Sequence, residues 1–258
     1  MTKRSIIVLL FIPLLLTACG GGGDKLSFNR INVNKEVAIE KGENAPHCIV
    51  ELQMDCLDEK YGETAKTLNE AINQRVFYLE NLTMQQAADS FANKYCRDYV
   101  VNYAPLYRED KASQEKHAWY EYRYKVTTET IQEVKGVVTY LINIEYYEGG
   151  AHGISQQLAL NFNAENGEKL TLHDVLAPGF EQQLNEMLLE ALLDETGAKD
   201  INQLHEEGYL YSMDIFASDN FIIGDDEITF IYNPYEIADY NKGMIKLSID
   251  TDNFTLKD

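Results

Sequence analysis

WYEYRYKVTTETIQEVKGVVTYLINIEYYEGGAHGISQQLALNF, residues 119–162, is the stretch whose reading decides the fold. Trp119 to Thr130 alternates strictly. Tyr120, Tyr122, Tyr124 and Val126 share one face, and Trp119, Glu121, Arg123 and Lys125 share the other. A period of two over that length is the pattern of a half-buried strand. A turn near Glu133–Gly136 leads to a second strand, Val134 to Tyr147, and the glycines 149 and 150 turn the chain into a third, His152 to Phe162. Asn166-Gly167 is a further turn signal. Three strands joined by short glycine turns predict an antiparallel meander.

Upstream, His47 to Asp55 reads as another strand, with Cys48, Val50, Leu52 and Met54 on its apolar face. Helical period follows. Leu68, Ile72, Arg75, Val76 and Leu79 form one stripe, and Ala87, Phe91, Tyr95 and Tyr99 a second, capped by Asn81 or Thr83 and ended by Pro105. The short link between the stripes makes the two helices antiparallel neighbours. Leu26 to Pro46 is poorly patterned, with a short edge strand at most, over Val37–Ile39. Downstream, Leu170–Leu176 and Phe180–Leu193 are helical, and Gly197 is a candidate C-cap. Phe221–Ile223, Glu227–Tyr232 and Met244–Ile249 read as strands. The predicted class is α+β, an antiparallel meander with packed helices in the order β-α-α-β-β-β-α-β-β. The expected organisation is 1–19 leader, 20–46 tether and unpatterned segment, 47–163 first lobe and 164–258 second lobe.

The leader has a recognisable chemistry. Lys3 and Arg4 precede the apolar run Ile6–Leu16, which is too short to span a bilayer, and Leu16-Thr17-Ala18-Cys19 is similar to a bacterial lipobox. Lipidation is expected at Cys19, with Gly20–Gly23 as a flexible tether, which predicts a domain anchored at the cell envelope, on the outer membrane. The chain of 258 residues carries 42 Asp+Glu against 22 Lys+Arg, a net charge of −20, and removal of Lys3 and Arg4 takes it to −22. Such a surface repels nucleic-acid phosphate and attracts cations, so nucleic-acid binding is excluded as an expectation. Cys48, Cys56 and Cys96 remain. An extended strand holds Cys48 and Cys56 about 26 Å apart, and Cys96 reaches either only if a helix packs on that strand. The pairing is open, and no CxxC suggests zinc.

Two runs carry candidate chemistry. In Tyr146–Gly153 three glycines surround His152, which would serve as a general base beside Glu145 or Glu148, or bind a metal with His173, or hydrogen-bond the backbone of a structural turn. Asn233–Tyr240 holds Pro234, Tyr235, Glu236 and Tyr240; two tyrosines and two carboxylates in a loop suit a protein interface or pack into the core. Asp225–Glu227 and Asp250–Asp252 are oxygen-rich but read as solvated turns. No catalytic motif, metal set or cofactor fingerprint stands out, so no cofactor is expected.

Taken together, YEGGAH, Asn161–Asp174 and Phe221–Gly243 resemble the RsiV/PdaC-type family: the C-terminal domain of an anti-sigma factor that senses lysozyme, with the N-terminal companion domain found in PdaC. The resemblance spans about Cys48 to Ile249 and is closest to lipid-anchored, Bacteroides-like members. It implies a binding protein rather than an enzyme, with a cationic protein such as lysozyme as partner. The acidic, tyrosine-bearing runs supply the expected contact residues: Pro234, Tyr235, Glu236, Tyr240, Glu148 and His152. A peptidoglycan- or polysaccharide-binding module, using Trp119, Tyr122 and Tyr147, is the alternative, and a hydrolase built on His152 the third reading.

Overall fold

The structure, a computed structural model, describes residues 25–255 apart from 111, 113 and 212. The leader, Cys19 and the glycine tether lie outside the described residues. Six strands form one sheet in the order β1 (Phe28–Ala38), β2 (His47–Leu57), β3 (Tyr122–Ile131), β4 (Val137–Glu148), β5 (Ile154–Asn163) and β6 (Lys169–Leu170). Between β2 and β3 run α1 (Glu63–Phe77) and α2 (Met84–Asp110). After β6 come α3 (Leu172–Val175), α4 (Glu181–Thr196) and α5 (Ile201–Glu206), then a three-stranded antiparallel sheet of β7 (Phe221–Ile223), β8 (Glu227–Tyr232) and β9 (Ile245–Asp250). The class is α+β, as the pattern predicts.

Three elements differ from the sequence expectation. First, the segment taken as unpatterned is an eleven-residue edge strand, β1, paired with β2 along its whole length. Its apolar positions are single residues, such as Ile31, Val33 and Val37, set among Asn, Lys and Glu. Polar edge strands of this kind resist pairing with other chains. Arg30 fixes it, reaching Asp55 on β2 through Nε and Nη2 at 2.9 and 2.8 Å and the Thr128 carbonyl on β3 at 3.0 Å. Second, the sheet is not antiparallel throughout: β2 and β3 pair in parallel, because two helices intervene and carry the chain back across the sheet. Third, α2 runs through Pro105 to Asp110. Proline removes one helical hydrogen bond, and tertiary contacts offset the loss. Tyr107 packs on Tyr120 at 5.3 Å, and Asp110 accepts from the Tyr120 hydroxyl at 2.8 Å and from Lys116 at 2.6 Å. Those contacts hold the Asp110 carboxyl below its ordinary range, Lys116 acting most strongly.

Both helices cover one sheet face. Cys48, Val50, Leu52 and Met54 of β2 are fully buried there, with Leu68 and Ile72 of α1 and Ala87 and Ala88 of α2. Thr83 caps α2, its hydroxyl accepting from Gln86 N while its own N–H donates to Gln86 Oε1. A second core joins Leu184, Leu188 and Leu192 of α4 to Phe230, Leu247 and Ile249 of the small sheet.

The helix packing settles the geometry of the thiols. Cys48 of β2 and Cys96 of α2 are both fully buried, with sulfurs 3.4 Å apart, while half-buried Cys56 stands alone. Burial pushes both thiols of the pair up, so neither is reactive in the folded chain. Refolding from the reduced, denatured state with oxidised glutathione is expected to link Cys48 to Cys96, releasing two equivalents of glutathione. A non-reducing peptide map reads the link. Closing a loop of this length adds about 4 kcal/mol, which raises the melting temperature by roughly 8–16 °C. A map showing Cys56 in the bridge would contradict the geometry.

Candidate functional site

The three-stranded sheet and its flanking loops, called the second lobe below, meet the six-stranded sheet, the first lobe, along the outer edge of β5, and three asparagines make the joint. Asn233 accepts from Gln157 N at 2.8 Å and donates to its carbonyl at 3.2 Å. Asn220 accepts from Ala159 N at 2.7 Å and donates to the Gln157 carbonyl at 2.8 Å. Asn161, bonded to Thr139, donates to the Phe221 carbonyl at 2.7 Å. The Asn233 and Asn220 amides stand where a neighbouring strand's backbone would, so β5 at Gln157–Ala159, beyond its short pairing with β6, is satisfied without a ladder.

This joint brings the two runs singled out in the sequence together. Past Glu148, Gly149 and Gly150 turn at φ 79° and 94°. Any Cβ on Gly149 would collide with the Trp119 carbonyl, so the turn lies directly on the segment preceding β3. It presents His152, whose ring stacks on Tyr240 with centroids 3.9 Å apart and planes at 17°. The Tyr240 hydroxyl donates to the Gly153 carbonyl at 2.7 Å, and Tyr235 stacks on Tyr240 at 5.5 Å. Three aromatic rings thus form one row. Glu236 closes its own loop, accepting from Asn233 N at 2.8 Å. Tyr235 adopts φ 73° and is 61% exposed.

Not every expected contact residue joins this row. Glu148 is placed with α2, accepting from the Tyr95 hydroxyl at 2.6 Å. Burial, then Glu148, pushes the Tyr95 phenol well above its usual range. His152 has no carboxylate partner among the described residues; its Nδ1 lies 3.2 Å from the Gly153 carbonyl. His173 stands on α3 beside Glu181 and Phe180. Among the described residues no group of three or more His, Cys, Asp or Glu is arranged to hold a metal. Asp250 caps a turn, accepting from Asp252 N at 2.8 Å.

A second loop, residues 208–219, completes the surface and had no periodic signal in the sequence. It is tied to the first by a bridge between Tyr209 and Ala238, by Leu210 N donating to the Ile237 carbonyl at 2.7 Å, and by Asp239 N donating to the Gly208 carbonyl at 3.2 Å. The Tyr232 hydroxyl donates to the Phe216 carbonyl at 2.6 Å. Tyr211, 57% exposed, donates to Asp239 Oδ2 at 3.1 Å, which raises its phenol above the usual value. Met213 and Phe216 are also exposed. The only sequence hint was the cluster of Tyr209, Tyr211 and Phe216 in an otherwise unpatterned stretch. The segment carrying both loops, Asp200 to Asn241, holds ten acidic residues and no Lys or Arg, and the next residue, Lys242, lies over the Tyr209 ring at 4.6 Å. Exposed aromatic and thioether side chains over an acidic background suit capture of a cationic surface.

Residues 173–252 match the family described as a protein of unknown function, DUF3298. The matched residues contain both loops, while the turn bearing His152 precedes them, in the six-stranded sheet. Across the whole chain the fold is similar to a solved DUF3298 family member from Bacteroides fragilis, with a TM-score of 0.80 and 26% identity, covering 90% of this chain and 94% of that one. A DUF3298 family protein from Pseudomonas aeruginosa shares the fold at a TM-score of 0.60 and 15% identity, covering 91% and 95%. The chain is also related to the Bacillus subtilis peptidoglycan-N-acetylmuramic acid deacetylase PdaC, 26% identical over 192 residues. That match takes in 70% of this chain and 38% of PdaC, so the chain spans less than half of this relative.

Proposed function

We propose that the protein is a non-catalytic binding protein of the cell envelope, lipid-anchored through Cys19, that captures a cationic protein such as lysozyme and acts as its inhibitor, decoy or sensor. One observation carries the reading: two loops in the residues that match DUF3298, bound to each other and to the six-stranded sheet, expose Tyr211, Met213, Phe216 and Tyr235 within a stretch of ten acids and no Lys or Arg. Tyrosine supplies rigid contact area, and the acids speed encounter and fix orientation. The envelope setting is supported by the lipobox-like leader and by the relationship to a peptidoglycan-modifying protein. Among the described residues no helix is long and apolar enough to cross a membrane.

Tyr235→Asn and Tyr211→Phe separate contact from folding. Asn tolerates the positive φ at position 235, and Phe keeps the ring at 211 while releasing Asp239. Tyr235→Asn is expected to weaken binding to a c-type lysozyme at least tenfold, about 1.4 kcal/mol, with the melting temperature held. Unchanged affinity would remove the loop from the interface.

A second reading, a peptidoglycan- or polysaccharide-binding module, has its own observation: a cleft of about 310 Å³ beneath Tyr240 with Tyr146 and Tyr147 in its wall, while Trp119 stands 55% exposed. The third reading, a hydrolase built on His152, has no carboxylate partner to that ring among the described residues.

A further inference from the structure

The cleft beneath Tyr240 contains a cation that nothing in the fold uses. Arg123 of β3 is exposed, lines the cleft and makes no hydrogen bond or ion pair among the described residues. The cleft's lining also holds one carboxylate, Glu145, and it is engaged by Lys125. The register explains how the guanidinium stays free. Arg123 lies directly opposite Tyr147 on β4, and the acid on the same face, Glu145, is opposite Lys125 and pairs with it at 3.8 Å. Cross-strand neighbours on one face stand about 5 Å apart at Cβ, so Arg123 faces an aromatic ring while its neighbouring lysine takes the carboxylate.

The rest of the cleft is built from both lobes. Tyr147 and Tyr240 are held by their hydroxyls, which donate to the Gly150 and Gly153 carbonyls at 2.9 and 2.7 Å, leaving the ring carbons as walls. Ser155 on β5 is exposed, and its hydroxyl has no partner among the described residues. Two residues along the same strand face, the buried Oε1 of Gln157 also lacks one. The size, about 310 Å³, is at the small end of ligand pockets, and junctions between lobes are where such pockets concentrate.

We infer that this cleft binds a carboxylate-bearing sugar, with Arg123 pairing the carboxylate, Tyr147 and Tyr240 lining the ring, and Ser155 meeting a hydroxyl. The inference rests on the glycan reading of the cleft and is independent of protein capture by the DUF3298 loops. A bidentate guanidinium–carboxylate pair is short, charge-assisted and selective for planar anions. The chain's overall negative charge does not forbid it. At physiological ionic strength charges beyond about 8 Å are screened, so the local contact decides.

The test is titration of the purified protein with three probes: N-acetylmuramic acid, its neutral counterpart N-acetylglucosamine, and trigalacturonate. The expected result is that at least one acid binds tenfold or more tightly than N-acetylglucosamine, and that Arg123→Gln abolishes this preference while Arg123→Lys retains part of it. Preference for muramate over galacturonate, or the reverse, identifies the source of the acid. The inference is overturned if neutral and acidic sugars bind alike, if none binds at millimolar concentration, or if Arg123→Gln keeps the preference. Lysozyme capture by the same Arg123→Gln protein is expected to be unchanged, so the two readings fail separately.

Discussion

Raising the pH from 10 to about 12 is expected to unfold the protein cooperatively, with tyrosinate absorbance rising in the same step that removes its circular dichroism. The cause is the tyrosine layer between α2 and the sheet. Tyr99, Tyr103 and Tyr122 pack together at 4.9–6.1 Å, and Tyr124 contacts Phe91, Tyr95 and Tyr146 at 5.0–6.0 Å. Burial is the main cause that pushes Tyr124 up to about 12, and Tyr95, Tyr99, Tyr122 and Tyr140 are raised mainly by burial as well. The sign follows from linkage. Below the unfolded value of 10 both states keep the proton, and stability is intact. Above it the unfolded chain ionises first while the folded rings resist, so stability falls until the folded value is reached. Two pH units at one tyrosine amount to about 3 kcal/mol, and several such rings exceed the total stability of an ordinary domain, about 5–15 kcal/mol. Among the described residues the Tyr124 hydroxyl makes no hydrogen bond, so Tyr124→Phe is expected to move the transition to higher pH. Gradual ionisation of these rings with the circular dichroism intact to pH 12 would contradict the burial of the layer.

The second large effect concerns the joint between the lobes. Replacing Asn220 and Asn233 with alanine strips the partners from the amides of Gln157 and Ala159 and from the Gln157 carbonyl. Each buried backbone group left unpaired costs about 1–3 kcal/mol. Because the three groups are only part-buried, the lower part of that range applies, and the double variant should lose roughly 3–6 kcal/mol and melt about 6–24 °C lower. It also bares the β5 edge, and an unpaired edge recruits other strands. Concentration-dependent association, seen by light scattering, is therefore expected alongside the lower melting temperature. A double variant with unchanged melting and no association would show that the joint is held by packing at Leu141, Ala159 and Ile231 alone.

How far the sequence foretold this molecule depended on the length scale of the force involved. Strict alternation in β3 and β4, and the apolar stripe of α1, were legible because each side chain's environment follows from its own strand or helix face. Strand β1 was not, since its stability comes from pairing with β2 and from Arg30 reaching two strands away, and its own residues are mostly weak strand formers. The extension of α2 past Pro105 depends on Tyr120 and Lys116, which no local rule connects to Asp110. The candidate site was half legible. The stacking of His152 on Tyr240 unites two runs that composition had already marked. The participation of residues 208–219, and the exclusion of Glu148 from the row, depend on which sheet face each residue occupies after the lobes dock. The asparagine joint is similarly non-local: Asn220 and Asn233 are unremarkable in sequence and meaningful only opposite β5.

The central claim is that the acidic, aromatic loop surface binds a cationic protein, and calorimetric titration with a c-type lysozyme at low and at high salt tests it most directly. Electrostatic capture predicts saturable binding whose association weakens as salt rises, because exposed charges are screened within about 10 Å at 0.1 M. Absence of binding heat at both salt concentrations, with the protein folded, would contradict the claim and leave the cleft beneath Tyr240 as the functional surface.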